Sequence, residues 1–174
     1  TKESNSKFQD SSANTLETNN SILDTVRVFI PIFPGTNCEY ESEHVFVDAG
    51  ADVRTRLFTN YNEQAVSESI AAFVEQINAA NIMMIPGGFS AGDEPDGSAK
   101  YIVSVLKNPA IKDAVHALLK RGGLMLGICN GFQALVKSGL LPYGEIRDLD
   151  DTSATMTFNN IGRHISQTAH VEVK

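Results

Sequence analysis

Hydrophobic residues fall along this chain in short blocks separated by polar turns, and the spacing within each block predicts its element. Residues 26–33, VRVFIPIF, are β-branched and aromatic over the length of a strand and stop at the turn sequence Pro34-Gly35-Thr36-Asn37. Residues 39–49 suit a helix, because acids crowd the first turn, where the dipole favours them, and Gly50 stands where a left-handed cap would close it. A second strand is expected over 52–58. Asn62 then offers an N-cap, and Ala65, Val66, Ile70, Phe73, Val74 and Ile77 recur at helical spacing, a stripe that ends near Asn78. Residues 82–85, IMMI, read as a short buried strand, and the Gly-rich loop PGGFSAGDEPDG follows.

Two further helices are expected, one over 98–107 and one capped by Asn108 with Pro109 at its first position and Gly122-Gly123 at its end. Residues 124–128 read as a fourth buried strand, and 130–138 as a helix halted by Gly139. Beyond Leu141 the pattern weakens, leaving 155–158 and 171–173 as strand candidates. Strands alternating with helices at this spacing predict an α/β fold: an open, mainly parallel sheet with helices on both faces. Ligands of such sheets bind at the carboxyl ends of the strands. Three loops lie there: the one holding Cys38, the Gly-rich loop after Ile85, and the turn at Cys129.

Composition sharpens the domain picture. Thirteen of the first 25 residues are Ser, Thr or Asn, so residues 1–25 read as a linker or disordered tail, with the folded part over 26–174. Fourteen Lys+Arg against 21 Asp+Glu give a formal charge of -7, which repels phosphate backbones and anionic lipid, so neither nucleic acid nor membrane is an expected partner. No stretch approaches the ~20 apolar residues that span a bilayer, and TKESNSKFQD lacks the apolar centre of a secretory signal, which points to the cytoplasm. Cys38 and Cys129 lack the spacing of a disulfide scaffold or a zinc site, and no metal is expected.

Candidate chemistry centres on Gly127-Ile128-Cys129-Asn130-Gly131, a nucleophile flanked by glycines between a strand and a helix. A side chain pushed up from so tight a turn needs neighbours without a Cβ. The helix dipole favours thiolate there, and the backbone N–H of Asn130 becomes an oxyanion donor. Gly88, in the preceding loop, is the candidate for a second donor. That loop has no phosphate-loop pattern, and Asp93, Glu94 and Asp96 would repel a phosphate. Cys38 lacks paired glycines and has Glu39, Glu41 and Glu43 beside it, so it reads as structural. The residues alone leave open an enzyme that uses Cys129 as its nucleophile, such as a thiol hydrolase or glyoxalase-like protein, and a binding module with Cys129 merely packed.

The segments PGTNCEY (34–40), GGFSAGDEPDG (87–97) and GICNGFQ (127–133), in this order along the chain, closely resemble the glutaminase domain, a class I glutamine amidotransferase, of the phosphoribosylformylglycinamidine synthases. The resemblance implies a flavodoxin-like fold with Cys129 attacking the side-chain amide of glutamine, Gly88 and Asn130 in the oxyanion hole, and Phe89, Ser90 and Gln133 lining the glutamine pocket. It also implies delivery of ammonia to a synthetase domain, on the same polypeptide or a separate subunit, that uses ATP and Mg²⁺ to make the amidine for purine biosynthesis. No cofactor is implied for this chain itself.

The family activates its cysteine with a His and a Glu two positions apart in a His-Gly-Glu-Gly-Arg-like stretch, which these residues lack. His170 and Glu172 have that spacing without its glycines and read instead as surface groups of a strand. His44, His116 and His164 read as surface residues. The expectation is therefore an N-terminal part of a glutaminase domain, truncated before its own base and inactive by itself.

Overall fold

The computed structural model describes residues 25–90, 98–156 and 159–172. The 1–24 segment, and with it all but one residue of the expected tail, lies outside them, as do 91–97 of the Gly-rich loop. Four strands, β1 (Arg27–Ile32), β2 (Asp52–Leu57), β3 (Ile82–Ile85) and β4 (Leu124–Gly127), form one parallel sheet in the order β2-β1-β3-β4. Parallel neighbours need crossovers, and helices supply them: α1 (Glu39–Asp48), α2 (Glu63–Ala79), and the pair α3 (Lys100–Leu106) and α4 (Pro109–Lys120). Helix α5 (Asn130–Lys137) leaves the sheet after β4, and a short α6 (Leu140–Tyr143), absent from the sequence reading, follows it.

Strand periodicity divides the core. Phe29, Met83 and Ile85 point to one face, where Phe73 and Ile77 of α2, Ile102 and Leu106 of α3, Val115 and Leu118 of α4 and Leu135 of α5 bury them. Phe73 is the hub, with its ring edge-on to Phe29 at 5.3 Å, Phe58 at 5.3 Å and Phe33 at 5.8 Å. Val28, Ile30 and Met84 point to the other face, where α1 is the one helix that packs among the described residues, chiefly through Phe46. That helix buries none of its residues fully, and Val45 stays 67% exposed.

This imbalance corrects one expectation. β4 is not buried, for Leu124 is 62% and Leu126 43% exposed. An apolar run marks a strand suited to burial on both faces, but β4 lies at the sheet edge and its outer face is uncovered among the described residues.

The caps follow the sequence. Asn62 accepts from the Ala65 N–H at 2.8 Å to open α2, and Asn108 accepts from the Ala110 N–H at 3.1 Å to open α4. Arg121 donates to the carbonyls of Ile77 at 2.6 Å and Ala80 at 2.9 Å, closing the exposed end of α2.

Past α6 the chain forms no strand among the described residues, so 155–156 and 171–172 are irregular, while 157–158 and 173–174 fall outside the description. Polar and apolar positions there carry no period that could bury a face. His116 is not a bare surface group: its Nε2 accepts from the Ile146 N–H at 2.9 Å and ties this segment to α4. Lys107 and Asp148 meet at 2.8 Å, but Asp148 is 97% exposed and the pair adds little. Among the described residues no helix is long and apolar enough to cross a membrane.

Candidate active site

Cys129 sits in the turn between β4 and α5 with φ 54 and ψ -113, a conformation glycine adopts freely and other residues resist. The flanking glycines explain how the chain turns so sharply. A Cβ on Gly127 would stand 2.6 Å from the Gly131 carbonyl oxygen, and one on Gly131 would collide with the Ile85 carbonyl and come within 3.0 Å of that of Pro86. Backbone contact leaves no room for any side chain, so α5 starts directly against the end of β3. The Ile128 N–H donates to the Ile85 carbonyl at 3.1 Å, and the Gly131 N–H to the Ile128 carbonyl at 2.9 Å, fixing the bend on both sides. The thiol is exposed, as a nucleophile requires and a packing residue does not.

Gly87 and Gly88 lie beside it. A Cβ on Gly87 would be 3.2 Å from Cys129 Cβ and 3.7 Å from its Sγ, so this loop runs alongside the thiol. Gly88 has φ 124, and its open side is closed by the β1–α1 turn: a Cβ there would meet the Gly35 carbonyl and the Asn37 nitrogen, the latter at 2.7 Å. The Asn37 N–H donates to the Gly87 carbonyl and the Phe89 N–H to the Gly35 carbonyl, each at 2.9 Å. All three loops predicted at the carboxyl ends of the strands thus meet. Cys38, Gly87, Gly88, Ile128 and Cys129 share one cavity of about 390 Å³, walled otherwise mainly by apolar groups of α1 and the sheet.

The remaining predicted residues divide. Asn130 is the first residue of α5, placing its backbone N–H in the turn beside Cys129, while its buried side chain donates from Nδ2 to Ser90 Oγ at 3.2 Å. Ser90, 1% exposed, lies under the elbow rather than on the cavity wall. Phe89 is exposed at the rim and Gln133 is half-buried one turn into α5, and neither lines this cavity. Cys38 differs from its reading as a structural residue, since it is exposed, holds a left-handed conformation with φ 65 and faces the same cavity as Cys129. Sequence reasoning missed the grip of Gly35 and Asn37 on the Gly-rich loop, although Pro-Gly before a polar residue at the end of a strand marked a turn worth placing.

His170 and Glu172 are exposed in the irregular 163–172 stretch, and among the described residues no histidine lines the cavity of Cys129. Among the described residues no group of three or more His, Cys, Asp or Glu could hold a metal ion. Chemically the site offers an exposed thiol in a strained turn, with backbone N–H groups from two loops close by. That arrangement suits attack on a carbonyl carbon, with the resulting negative charge held by the main chain.

Comparison with known proteins shows what the chain is similar to. Residues 25–174 match the family of CobB/CobQ-like glutamine amidotransferase domains. The chain is 35% identical over 141 residues to phosphoribosylformylglycinamidine synthase subunit PurQ of Dehalococcoides mccartyi, covering 81% of this chain and 50% of that protein. It is 39% identical over 110 residues to PurQ of Wolinella succinogenes, covering 63% and 42%. A structure of PurLQS from Thermotoga maritima aligns with a TM-score of 0.45 at 24% identity, over 67% of this chain and 45% of that one. The chain therefore spans half or less of the length of these relatives. With the glycine-flanked cysteine, the parallel sheet and a match over all of the described residues in agreement, the chain belongs to the CobB/CobQ-like glutamine amidotransferase family.

Proposed function

We propose that this chain is the nucleophile-bearing part of a glutaminase that serves a phosphoribosylformylglycinamidine synthase. The observation that carries the reading is the exposed Cys129 thiol at a strained elbow, alongside Gly87 and in one cavity with Gly88. In this reading the Cys129 thiolate attacks the side-chain amide carbon of glutamine. A C–S bond forms while the carbonyl π pair moves onto oxygen, where the N–H groups of Gly88 and Asn130 receive it. Collapse breaks the C–N bond and releases ammonia once the nitrogen gains a proton, and water then cleaves the thioester to glutamate and free thiol. The amino-acid end of glutamine extends past the cavity towards Phe89 and Gln133, which stand outside its wall, and Ser90 supports the elbow by fixing Asn130.

The relatives are named as a subunit of that synthase, which supports a synthetase partner that receives the ammonia and holds the ATP and Mg²⁺ of the ligase step. No imidazole stands beside Cys129 among the described residues. This chain by itself is therefore expected to take the acyl group yet turn over about 10²–10⁴-fold more slowly than a site with a proton relay.

The test is labelling by a glutamine-shaped chloroketone, read by intact mass and peptide mapping. Saturable labelling at Cys129, blocked by glutamine and lost in Cys129→Ala, is the expected result. Labelling that glutamine does not slow would replace the glutaminase reading with a thiol hydrolase of other specificity.

A further inference from the structure

We infer that Thr36 is a positioning residue for acyl transfer, holding the Gly88 N–H towards the nucleophile's cavity through a turn that no contact with substrate requires. The inference rests on the reading of Cys129 as an acyl-transfer nucleophile and adds the device that orients its second oxyanion donor.

The peptide bond between Gly87 and Gly88 is planar and trans, so its carbonyl and its N–H point in opposite directions. The Asn37 N–H holds that carbonyl on the side of the β1–α1 turn. The Gly88 N–H must then point away from the turn, along the wall that Gly87, Gly88 and Cys129 share. On the next peptide the Phe89 N–H is held by the Gly35 carbonyl. Gly88, at φ 124, is thus pinned from both sides in a conformation it would otherwise leave freely.

The two gripping groups flank Thr36, the Gly35 carbonyl inside the turn that Thr36 closes and the Asn37 N–H directly after it. The Thr36 N–H donates to the Phe33 carbonyl at 2.9 Å, and its Oγ1 accepts from the Phe33 N–H at 2.9 Å. Pro34 and Gly35, at φ 89, fill the central positions as a turn of this kind demands. Phe33 is 2% exposed and belongs to the aromatic cluster of the core. The chain of constraint runs from the core through Phe33 and Thr36 to Gly35 and Asn37, and from there to the amide of Gly88. A side chain that lacks Oγ1 leaves the Phe33 N–H without its acceptor and loosens the turn.

The experiment uses the full chain in a Cys38→Ser background, so that Cys129 is the single thiol, and compares two reagents. With 4-nitrophenyl acetate the thiolate adds to the ester carbonyl, a C–S bond forms, the C–O bond breaks and 4-nitrophenolate leaves without needing a proton, so the rate reads stabilisation of the oxyanion. With iodoacetamide the thiolate displaces iodide directly, so that rate reads the thiolate alone.

Thr36→Val is expected to slow acylation at least about tenfold, a fraction of the 10²–10³ that a lost donor costs, while alkylation changes less than about twofold. Thr36→Ser, which keeps the acceptor, is expected to restore acylation. Equal loss in both reagents, or acylation by Thr36→Val within about twofold of the parent, overturns the inference. If Thr36→Val does not fold, Thr36→Ala takes its place, and failure of both to fold makes Thr36 a folding determinant only, which also overturns it. Because nitrophenyl acetate carries no glutamine group, these outcomes stay separate from the chloroketone test of substrate.

Discussion

Gly127 and Gly131 meet backbone to backbone across the Cys129 elbow, so close that a Cβ on the first would stand 2.6 Å from the carbonyl oxygen of the second. The two glycines of the motif are therefore one contact rather than two separate turn residues. Gly127→Ala and Gly131→Ala are each expected to cost at least about 2 kcal/mol, the range of overpacked interiors. Gly50→Ala, where a Cβ meets nothing within 4 Å and only the positive φ resists, should cost about 1 kcal/mol. Urea denaturation of the three variants measures the difference. Neither Gly127 nor Gly131 has a positive φ, so losses no larger than that of Gly50→Ala would overturn close backbone approach as the reason for glycine at the elbow.

Cys129 holds φ 54 and ψ -113 against its own preference. Cys129→Gly is expected to abolish acylation while raising stability by about 1 kcal/mol, because relief of roughly 1–3 kcal/mol of backbone strain exceeds the entropy cost of a new glycine. Thermal unfolding of Cys129→Gly beside Cys129→Ala separates strain from side-chain loss, and only the glycine variant should melt higher than the parent.

Phe73 joins three other aromatic rings at the centre of the larger core. Phe73→Ala should destabilise by about 3–5 kcal/mol, as fully buried aromatic truncations do, and Asn108→Ala by only about 1 kcal/mol through the lost cap. Denaturant midpoints of the two variants check both values.

How much of this was legible in the sequence depended on whether the signal was local. The Asn62 and Asn108 caps, the stripe of α2 and the strand at 82–85 each rest on residues a few positions apart, and they occur where expected. The GxCxG elbow was equally visible, because steric need leaves a mark in composition. Burial of β4 was misjudged, since a run of apolar residues says what a strand would tolerate and not what covers it. The meeting of Gly35 and Asn37 with Gly87 and Phe89 joins segments about fifty positions apart through backbone atoms only, and side-chain patterns are silent about such bonds. His116 looked like a surface group because its partner is a main-chain N–H thirty residues away.

Burial holds the Tyr101 phenol above its ordinary value of 10.0, with the Asn60 side chain pulling partly back. The fold thus binds the phenolic proton more tightly than the unfolded chain does. The associated stabilisation is complete below about pH 10 and is lost as pH rises through the higher folded value. Tyr101→Phe should therefore show a flatter loss of stability above about pH 10 than the parent, as read from denaturation curves at stepped alkaline pH. Identical slopes would remove Tyr101 from the alkaline transition.

Among the described residues the sheet is dressed on one side by several helices and on the other by one, and its last strand, β4, shows a bare flank. Any strand laid against that flank in the direction its neighbours share would travel about 4.8 Å from β4 and surface at the same rim, next to the sulfur. The edge of the sheet thus marks the direction from which an imidazole could reach the thiol, and a proton relay arriving from the β2 side would have the width of the sheet to cross.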